Sequence, residues 1–233
     1  MSVTLEVIAV TVNDAAAAEE GGADRLEVVA NLTEGGVTPS AGVIAAIRRA
    51  TRLPIYVMIR PRGGPFQFTP AEVDAMVTDA RVARELGADG LVVGALNPDG
   101  SIDQEALMRI LEAGQLPATF HRAFEALRDP VGALDQLAGL PRIERVLTSG
   151  GRENPADAAA GLRRLVRHDF GRIEVMVGGG VTLANAAHIL RETGATALHT
   201  ASAVREPQLH TARVSADRVR QMRLIIDQVA GAQ

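Results

Sequence analysis

Two arginines at the end of an apolar run have the type and spacing to bind an anion. The run 55–59 is followed by Arg60 and Arg62, with two glycines directly behind them. A guanidinium group binds a carboxylate or a phosphate through paired, charge-assisted hydrogen bonds. The stretch therefore predicts that Arg60 and Arg62 hold a small anionic ligand at the end of a buried strand.

Three titratable residues in other short apolar runs could transfer protons. Glu6 and Glu27 lie inside two β-rich runs near the N-terminus, and His121 ends a third run beside Arg122. Carboxylates and imidazoles serve as general acids and bases when their surroundings bring the pKa near the working pH. We interpret Glu6, Glu27 and His121 as candidate catalytic residues, although a lone histidine inside a barrel is more often a hydrogen-bonded core residue.

Glycine-rich turns follow three of the runs, at 35–36, 148–151 and 178–180. Backbone N–H groups in such turns can hold a phosphate. Tight turns that need a positive φ would explain the same glycines. The arginines and the turns together define the predicted ligand-binding residues, which are Arg25, Asn31, Arg60, Arg62, Arg122, Ser149, Gly150, Gly179 and His199.

The elements that must position these residues are short strand-like runs that alternate with amphipathic helical segments along the whole chain. The runs lie at 4–9, 25–30, 55–60, 90–94, 118–121, 145–148, 173–177 and 197–199. Eight strand–helix units predict an α/β fold, a TIM-type (β/α)8 barrel that forms a single domain over residues 1–233. An open, doubly wound sheet is the alternative.

Start signals of most helices can also be read from the sequence. Capping residues and prolines predict helix starts at Asn13, Thr38 with Pro39, Thr69, Ser101, Asp129, Asn154 and Thr182. Apolar residues of the tail repeat at helical spacing, which predicts a last amphipathic helix over about 211–230.

In a barrel, alternate residues of each strand face the lumen. Placing the apolar positions against the helices predicts a lumen lined by Glu6, Ile8, Arg25, Glu27, Val29, Tyr56, Met58, Arg60, Thr119, His121 and His199. An ordinary barrel fills this space with branched apolar side chains. A polar lumen of this kind indicates a site.

The charges near this lumen predict its ligand. The four arginines at 25, 60, 62 and 122 outnumber the two glutamates at 6 and 27 by two positive charges, which favours an anion. The alternative is that Glu6 with Arg25, and Glu27 with Arg60, form internal ion pairs that close the barrel and bind nothing.

Composition excludes several classes of function. The chain has 233 residues, a formal net charge of −4 and no cysteine, so we expect no nucleic-acid partner, no disulfide and no thiolate metal site. The N-terminus lacks the pattern of a secretory signal, and no apolar run approaches the roughly 20 residues of a membrane span. We therefore expect a cytoplasmic protein without a membrane partner. A copper(I) site built from Met58, Met176 and histidines is chemically permissible.

Long motifs in this sequence resemble the CutC family of copper homeostasis proteins. They are Glu-Gly-Gly-Ala-Asp-Arg at 20–25, Ala-Asn-Leu-Thr-Glu-Gly-Gly-Val-Thr-Pro-Ser at 30–40, Val-Met-Ile-Arg-Pro-Arg-Gly-Gly at 57–64, Thr-Phe-His-Arg-Ala-Phe at 119–124 and Leu-Thr-Ser-Gly-Gly at 147–151. The resemblance reaches to about Ala203. It implies a TIM-type barrel, a cytoplasmic location, self-association into a homo-oligomer and a role in copper handling. Copper is implied by the resemblance alone, and metal ligands remain unknown.

Three functional hypotheses follow. The first is the family role in copper homeostasis, with or without copper ion binding. The second is a barrel enzyme that acts on a small anionic metabolite, phosphorylated or not, with Arg60 and Arg62 holding the anion and His121 or Glu27 acting as general acid or base. The third is a binding protein without catalytic activity.

Overall fold

The computed structural model describes residues 2–168 and 172–231. Eight parallel strands close into a barrel in chain order, because the last strand pairs with the first. The strands are β1 (Thr4–Ala9), β2 (Arg25–Val28), β3 (Ile55–Met58), β4 (Gly90–Val93), β5 (Ala118–Phe120), β6 (Ile143–Thr148), β7 (Glu174–Val177) and β8 (Ala197–Thr200). The predicted (β/α)8 barrel is confirmed, and the open sheet is wrong.

Helices cover the outside of the barrel, and one follows each strand. They are α1 (Val12–Glu20), α2 (Ala41–Ala50), α3 (Pro70–Glu85), α4 (Gln104–Gly114), α5 (Pro130–Ala138), α6 (Ala159–His168), α7 (Ala186–Thr193) and α8 (Ala216–Ala230). Short 3-10 turns occupy Leu32–Glu34, Arg122–Ala126, Pro155–Ala158 and Ser202–Val204. None of the helices within the described ranges has both the length and the apolar surface needed to pass through a lipid bilayer.

The helix starts agree with the sequence where side-chain and backbone signals coincide. Thr69 caps α3 in a capping box with Glu72, and Asp129 caps α5 with a proline in the first turn. Asn154 caps a 3-10 turn that leads into α6. These three predicted starts are confirmed.

Four predicted starts are displaced by two to three residues. Thr11 rather than Asn13 caps α1, and Asp103 rather than Ser101 caps α4. The caps of α2 and α7 are Ser40 and Asn185 rather than Thr38 and Thr182.

Thr38 does not cap α2 because it is hydrogen-bonded to the end of a barrel strand. The Thr38 hydroxyl accepts a hydrogen bond from the Arg60 N–H at 2.9 Å, and the Thr38 N–H donates to the Arg60 carbonyl at 2.8 Å. Thr38 therefore extends the end of β3 instead of starting a helix.

The C-terminal helix also begins later than predicted. A short antiparallel hairpin of β9 (Arg205–Glu206) and β10 (Arg213–Val214) precedes it. Arg205 is buried and donates hydrogen bonds to the carbonyls of Ile8 and Ala212, beside the Asp14 carboxylate. These contacts fix the hairpin to the mouth of the barrel, so α8 can start only at Ala216.

The buried apolar residues form three clusters. The largest lies between strands and helices and contains Leu5, Val7 and Leu26. The second is formed by Ile8, Val29, Met58 and Val92, and the third by Leu147, Met176 and Ala197. The predicted alternation of inward and outward residues is therefore confirmed for the first three strands.

Candidate active site at the mouth of the barrel

A cavity of about 670 Å³ opens where the strands end and the following loops begin. Its walls include Glu27 from β2, Met58 from β3, and His199 and Thr200 from β8. Catalytic residues of (β/α)8 barrels lie at this end of the strands. The cavity is large enough for a small metabolite.

Charged side chains from three neighbouring strands form a buried network beneath one wall of the cavity. Glu6 of β1 lies in register with Arg25 of β2 and with His199 of β8. Its carboxylate forms an ion pair with Arg25 and lies 2.6 Å from Nδ1 of His199. Arg25 also donates to the Thr119 hydroxyl at 3.0 Å. The predicted Glu6–Arg25 ion pair is present, and it lies beneath the cavity rather than on its surface.

Glu27 is the carboxyl group of this network that reaches the cavity. Its Oε2 lies 3.9 Å from Nδ1 of His199, and it has no hydrogen-bond partner among residues 2–168 and 172–231. The side chain is 4% exposed. A buried carboxyl group without a hydrogen bond favours its neutral form.

Burial and neighbouring charges shift the pKa values of the two carboxyl groups of the network in opposite directions. Burial alone would raise the pKa of Glu6, but Arg25 and His199 lower it to about 2. Burial raises the pKa of Glu27 to about 7, because the attraction of His199 only partly opposes it. Burial alone would lower the pKa of His199, but Glu27 and Glu6 raise it. Glu27 can therefore gain or lose a proton near neutral pH while Glu6 stays ionised.

His121 lies on the opposite wall. It follows β5, which is four places from β1 in either direction around the barrel. Nδ1 of His121 accepts a hydrogen bond from the Ala123 N–H at 3.1 Å, and Nε2 has no partner in the described part of the chain. Burial, together with the charge of Arg60, lowers the pKa of His121 to about 3. The imidazole is therefore neutral and carries its hydrogen on Nε2.

Two glycines make room for the two histidines, and each directly follows a strand that neighbours the strand carrying or preceding the histidine. A Cβ at Gly94 would overlap the ring of His121, and a Cβ at Gly178 would come within 2.8 Å of Cβ of His199. Close approach, rather than a turn or a phosphate, explains the absence of a side chain at these two positions.

Arg60 lines the cavity, but most of its donors are used within the protein. Nη1 donates to the carbonyls of Glu34 and Gly36 at 3.1 and 2.9 Å, and Nη2 donates to the Gly64 carbonyl at 2.7 Å. The guanidinium also lies over the ring of Phe66. Arg60 therefore connects the loops that follow β2 and β3, and it does not form the predicted ion pair with Glu27.

Five predicted ligand-binding residues lie outside the cavity lining. Arg25 and Ser149 are two of them, and the other three are Arg62, Asn31 and Gly150. Arg62 pairs with Glu72 at 2.5 Å and donates to the Gln67 carbonyl at 2.8 Å, on the outer side of the loop. The Asn31 side chain accepts a hydrogen bond from the Thr33 hydroxyl. Gly150 lines a separate pocket of about 140 Å³. The sequence shows their motifs but not the direction in which the loops turn.

Arg122 lies on the cavity wall beside a glycine turn. It pairs with Glu125 at 2.7 Å, and the N–H and hydroxyl of Ser149 donate to the same carboxylate at 2.7 Å each. Ser149 therefore fixes Glu125 instead of lining the cavity. A Cβ at Gly179 would come within 2.9 Å of the Arg122 guanidinium carbon, so the turn and the arginine are packed together.

The predicted excess of positive charge is wrong for the cavity as a whole. Its lining contains two arginines but also four glutamates, at 27, 34, 125 and 153. Arg25 lies beneath the cavity and Arg62 lies outside it, which removes two of the four charges counted from the sequence. Positive character is confined to Arg122 with the neighbouring turn and to Arg60.

Half of the predicted site residues line one cavity. These six are Glu27, Arg60, His121, Arg122, Gly179 and His199. Sequence reasoning missed several other polar or aromatic lining residues, which are Thr33, Glu34, Phe66, Glu125, Glu153, Thr200, Ser202 and His210. Only Glu125 had a readable signal, because it follows Arg122 by three residues, a spacing that allows contact within one turn.

The donor atoms of the site do not suit copper(I). One ligand atom from each of Glu6, Glu27 and His199 lies within 4.8 Å of the others, but Glu6 and His199 already bond to each other and Glu6 pairs with Arg25. Copper(I) prefers sulfur ligands. Met58 and Met176 belong to different apolar clusters, and the chain has no cysteine. The methionine–histidine site considered from the sequence is therefore not assembled by the described residues.

The fold and the site define a (β/α)8 barrel with a cavity at the C-terminal ends of its strands, lined by titratable side chains. The chain belongs to the CutC family, whose family model matches residues 3–204. It is 46% identical over 196 residues to the copper homeostasis protein cutC homolog of Homo sapiens, a match that covers 84% of this chain and 71% of the human protein.

A bacterial relative and a solved structure agree with this assignment. A family protein CutC of Xylella fastidiosa is 44% identical over 201 residues, covering 85% of this chain and 74% of that protein. The crystal structure of CutC from Streptococcus agalactiae superimposes with a TM-score of 0.81 at 36% identity, covering 84% of this chain and 97% of that one. The resemblance read from the sequence motifs is confirmed.

Proposed function

We propose that this protein is an enzyme that transfers protons to and from a small anionic metabolite bound at the mouth of its barrel. Glu27 carries the proposal: it is buried, lines the cavity, lacks a hydrogen bond on Oε2 and has a pKa of about 7. A general acid or base works best when its pKa lies near the operating pH. Strongly perturbed groups of this kind concentrate at functional sites.

The other residues of the network have supporting roles in this proposal. Glu6 fixes the His199 ring through Nδ1, and His199 in turn attracts the ionised form of Glu27. Arg122, whose Nε and Nη2 donate to Glu125, and the backbone N–H groups of the turn at Gly179 form the corner where an anionic group of the metabolite would be held.

Inorganic phosphate serves as a probe of that corner. We expect it to raise the melting temperature of the wild-type protein more than sodium chloride of equal ionic strength does, because a ligand that binds only the folded state stabilises it. Arg122→Gln is expected to weaken this binding about 10-fold or more, since a hydrogen bond to a charged group contributes about 1.5–3 kcal/mol. The measurement is a thermal-shift titration.

The matched control is Arg109→Gln on the outer face of α4, where Arg109 pairs with Asp74 far from the cavity. It should bind phosphate as the wild type does. Equal stabilisation by phosphate and chloride would contradict the proposed anionic substrate. A metabolite that binds tightly without turnover would instead favour a binding protein.

We also propose that the chain acts in the cytoplasm and shares a role in copper homeostasis with its relatives, without a copper(I) site of its own. Membership of the CutC family and the name of the human relative support the role. The dispersed methionines and the absence of cysteine argue against direct binding.

A calorimetric titration with copper(I) at neutral pH tests this second proposal. We expect no saturable site in the wild-type protein. A saturable site that disappears in Met58→Ala or in His121→Ala would overturn the proposal and identify a copper ligand directly. His188→Ala, on the exposed face of α7, is the control for nonspecific loss of an imidazole.

A further inference from the structure

We infer that the substrate is a small carbonyl compound, and that His121 donates a hydrogen bond from its neutral imidazole to the carbonyl oxygen while Glu27 removes a proton from the adjacent carbon. The inference rests on the proposed function and adds to it the substrate class and the role of a second catalytic residue. Its basis is the pairing of a buried carboxyl group with a buried, unpartnered N–H donor in one cavity.

The tautomer of His121 follows from its hydrogen bond. The Ala123 N–H can only donate, so Nδ1 must be the acceptor and the ring hydrogen of the neutral form lies on Nε2. That N–H has no partner in the part of the chain that the structure describes, although the residue is only 4% exposed. A buried donor without a partner is unfavourable. The unpartnered Nε2–H of His121 therefore points to an acceptor supplied by a ligand.

The base and the donor come from different parts of the barrel wall. Glu27 lies on β2 and His121 follows β5, so β3 and β4 lie between them on the shorter way around the barrel. Both side chains line the same cavity of about 670 Å³. A ligand placed between them would therefore present one edge to a carboxylate and the other to an N–H donor.

A donor of this kind is suited to an oxygen that gains negative charge during the reaction. A fixed, desolvated donor stabilises an oxyanion more than it stabilises the initial carbonyl. A neutral imidazole can polarise a carbonyl group in this way without first losing a proton. His121 cannot act as the general base, because Nδ1 is occupied and Nε2 already carries hydrogen.

The proposed step balances without a cofactor. The ionised Glu27 carboxylate takes the proton from the carbon next to the carbonyl. The electron pair of the broken C–H bond forms a C=C bond, and the π electrons of the carbonyl move to its oxygen, which accepts the hydrogen bond from Nε2 of His121. Return of a proton from Glu27 to the same face of that carbon regenerates the carbonyl compound. If the Glu27 proton exchanges with solvent before it returns, the product carries a solvent hydrogen at that carbon.

A purely structural role for His121 makes a different prediction. His121 caps the 3-10 turn Arg122–Ala126 through Nδ1, and that contact alone would suffice to hold the turn. A merely structural histidine would affect folding but not the rate of proton exchange in the folded enzyme. The two roles can therefore be separated by the variant His121→Asn, whose side-chain oxygen can accept from the Ala123 N–H while no donor reaches the position of Nε2.

The experiment is proton–deuterium exchange in D2O, followed by proton NMR, with hydroxyacetone, dihydroxyacetone and hydroxypyruvate as probes. We expect the wild-type protein to accelerate exchange at the carbon next to the carbonyl of at least one probe. His121→Asn should reduce this rate about 10²–10³-fold, which is the usual effect of removing one oxyanion donor. The exposed His188→Asn is the control and should exchange at the wild-type rate.

Nitrogen NMR of the imidazoles provides a readout that does not depend on activity. His121, assigned by its loss in His121→Asn, should show the Nε2–H tautomer between pH 5 and pH 8. A protonated ring or the Nδ1–H tautomer in that range would overturn the inference. So would an unchanged exchange rate in folded His121→Asn, or no exchange with any probe.

Different results would contradict the proposed function and the carbonyl inference. If Glu27→Gln exchanges at the wild-type rate, Glu27 is not the base, and both the proposed function and the inference are wrong. If the protein binds phosphate through Arg122 but exchanges none of the three probes, the carbonyl inference alone is overturned.

Discussion

Arg25→Ala is expected to lower the free energy of unfolding by about 3–5 kcal/mol, because it leaves the fully buried Glu6 carboxylate without its arginine partner and with only the bond to His199. Arg25 also donates to Thr119 and lies over the ring of Tyr56, 3.7 Å from its centroid. The substitution therefore removes a charge, a hydrogen bond and a packing contact at the centre of the barrel. Urea denaturation at pH 7 measures the loss.

The control for this experiment is an ion pair of the same type at the surface. Arg109 and Asp74 are 2.6 Å apart, but their side chains are 44% and 66% exposed. Arg109→Ala should change the free energy of unfolding by less than about 1 kcal/mol, since water solvates the remaining carboxylate. Equal losses in the two variants would show that Glu6 and Arg25 are not buried as the structure places them.

A second variant separates the buried charge from the lost packing. In the double variant with Glu6→Gln and Arg25→Met, neither charge remains and most of the side-chain volume is kept. We expect it to be more stable than Arg25→Ala, because a buried ion pair can be replaced by neutral groups with little loss. If both variants lose the same free energy, packing rather than the uncompensated charge explains the effect.

The barrel and its lumen could be predicted because both depend on local patterns. Every second residue of a strand packs against the helices and must be apolar. A charged residue between two such apolar residues therefore has to face the lumen. Glu6 between Leu5 and Val7 is the clearest example: its neighbours lie in the outer core, and it pairs with residues from the two adjacent strands.

The loops could not be predicted in the same way, because their side-chain partners are distant in sequence or depend on the direction of the turn. Arg62 and Arg60 are separated by one residue, yet one pairs with Glu72 on the outside and the other binds loop carbonyls at the cavity. Ser149 appeared to be a ligand group but donates to Glu125, which is 24 residues away. No spacing rule relates such pairs, so the net charge of the cavity could not be predicted from the sequence.

Glu27→Gln is expected to make the folded protein more stable at pH 8 while removing its proposed catalytic group. Burial raises the pKa of Glu27 from its ordinary 4.5 to about 7. The folded state therefore binds this proton more tightly than the unfolded state does. Folding is least favourable at pH values above the pKa of Glu27 in the folded state, because the buried carboxyl group is then ionised. The wild type loses stability as the pH rises from 4.5 through 7, and above that range the loss is up to about 3 kcal/mol.

Glutamine has nearly the same shape as glutamate and no charge to desolvate, so the variant should not show this loss. We expect its free energy of unfolding to exceed that of the wild type by up to about 3 kcal/mol at pH 8, and by much less at pH 5, where Glu27 is protonated in the folded wild type. Attraction between ionised Glu27 and His199 reduces the gain. Urea denaturation of both proteins at the two pH values measures it.

The exposed carboxylate Glu34 on the same cavity provides the control, and Glu34→Gln should change stability by less than about 0.5 kcal/mol at either pH. A Glu27→Gln protein that is less stable than the wild type at pH 8 would mean that the Glu27 charge holds the barrel together. A gain in stability would instead mean that the wild-type carboxyl group destabilises the fold at neutral pH. Residues that destabilise a fold in this way are typical of active sites, because activity requires a group that the protein does not fully satisfy.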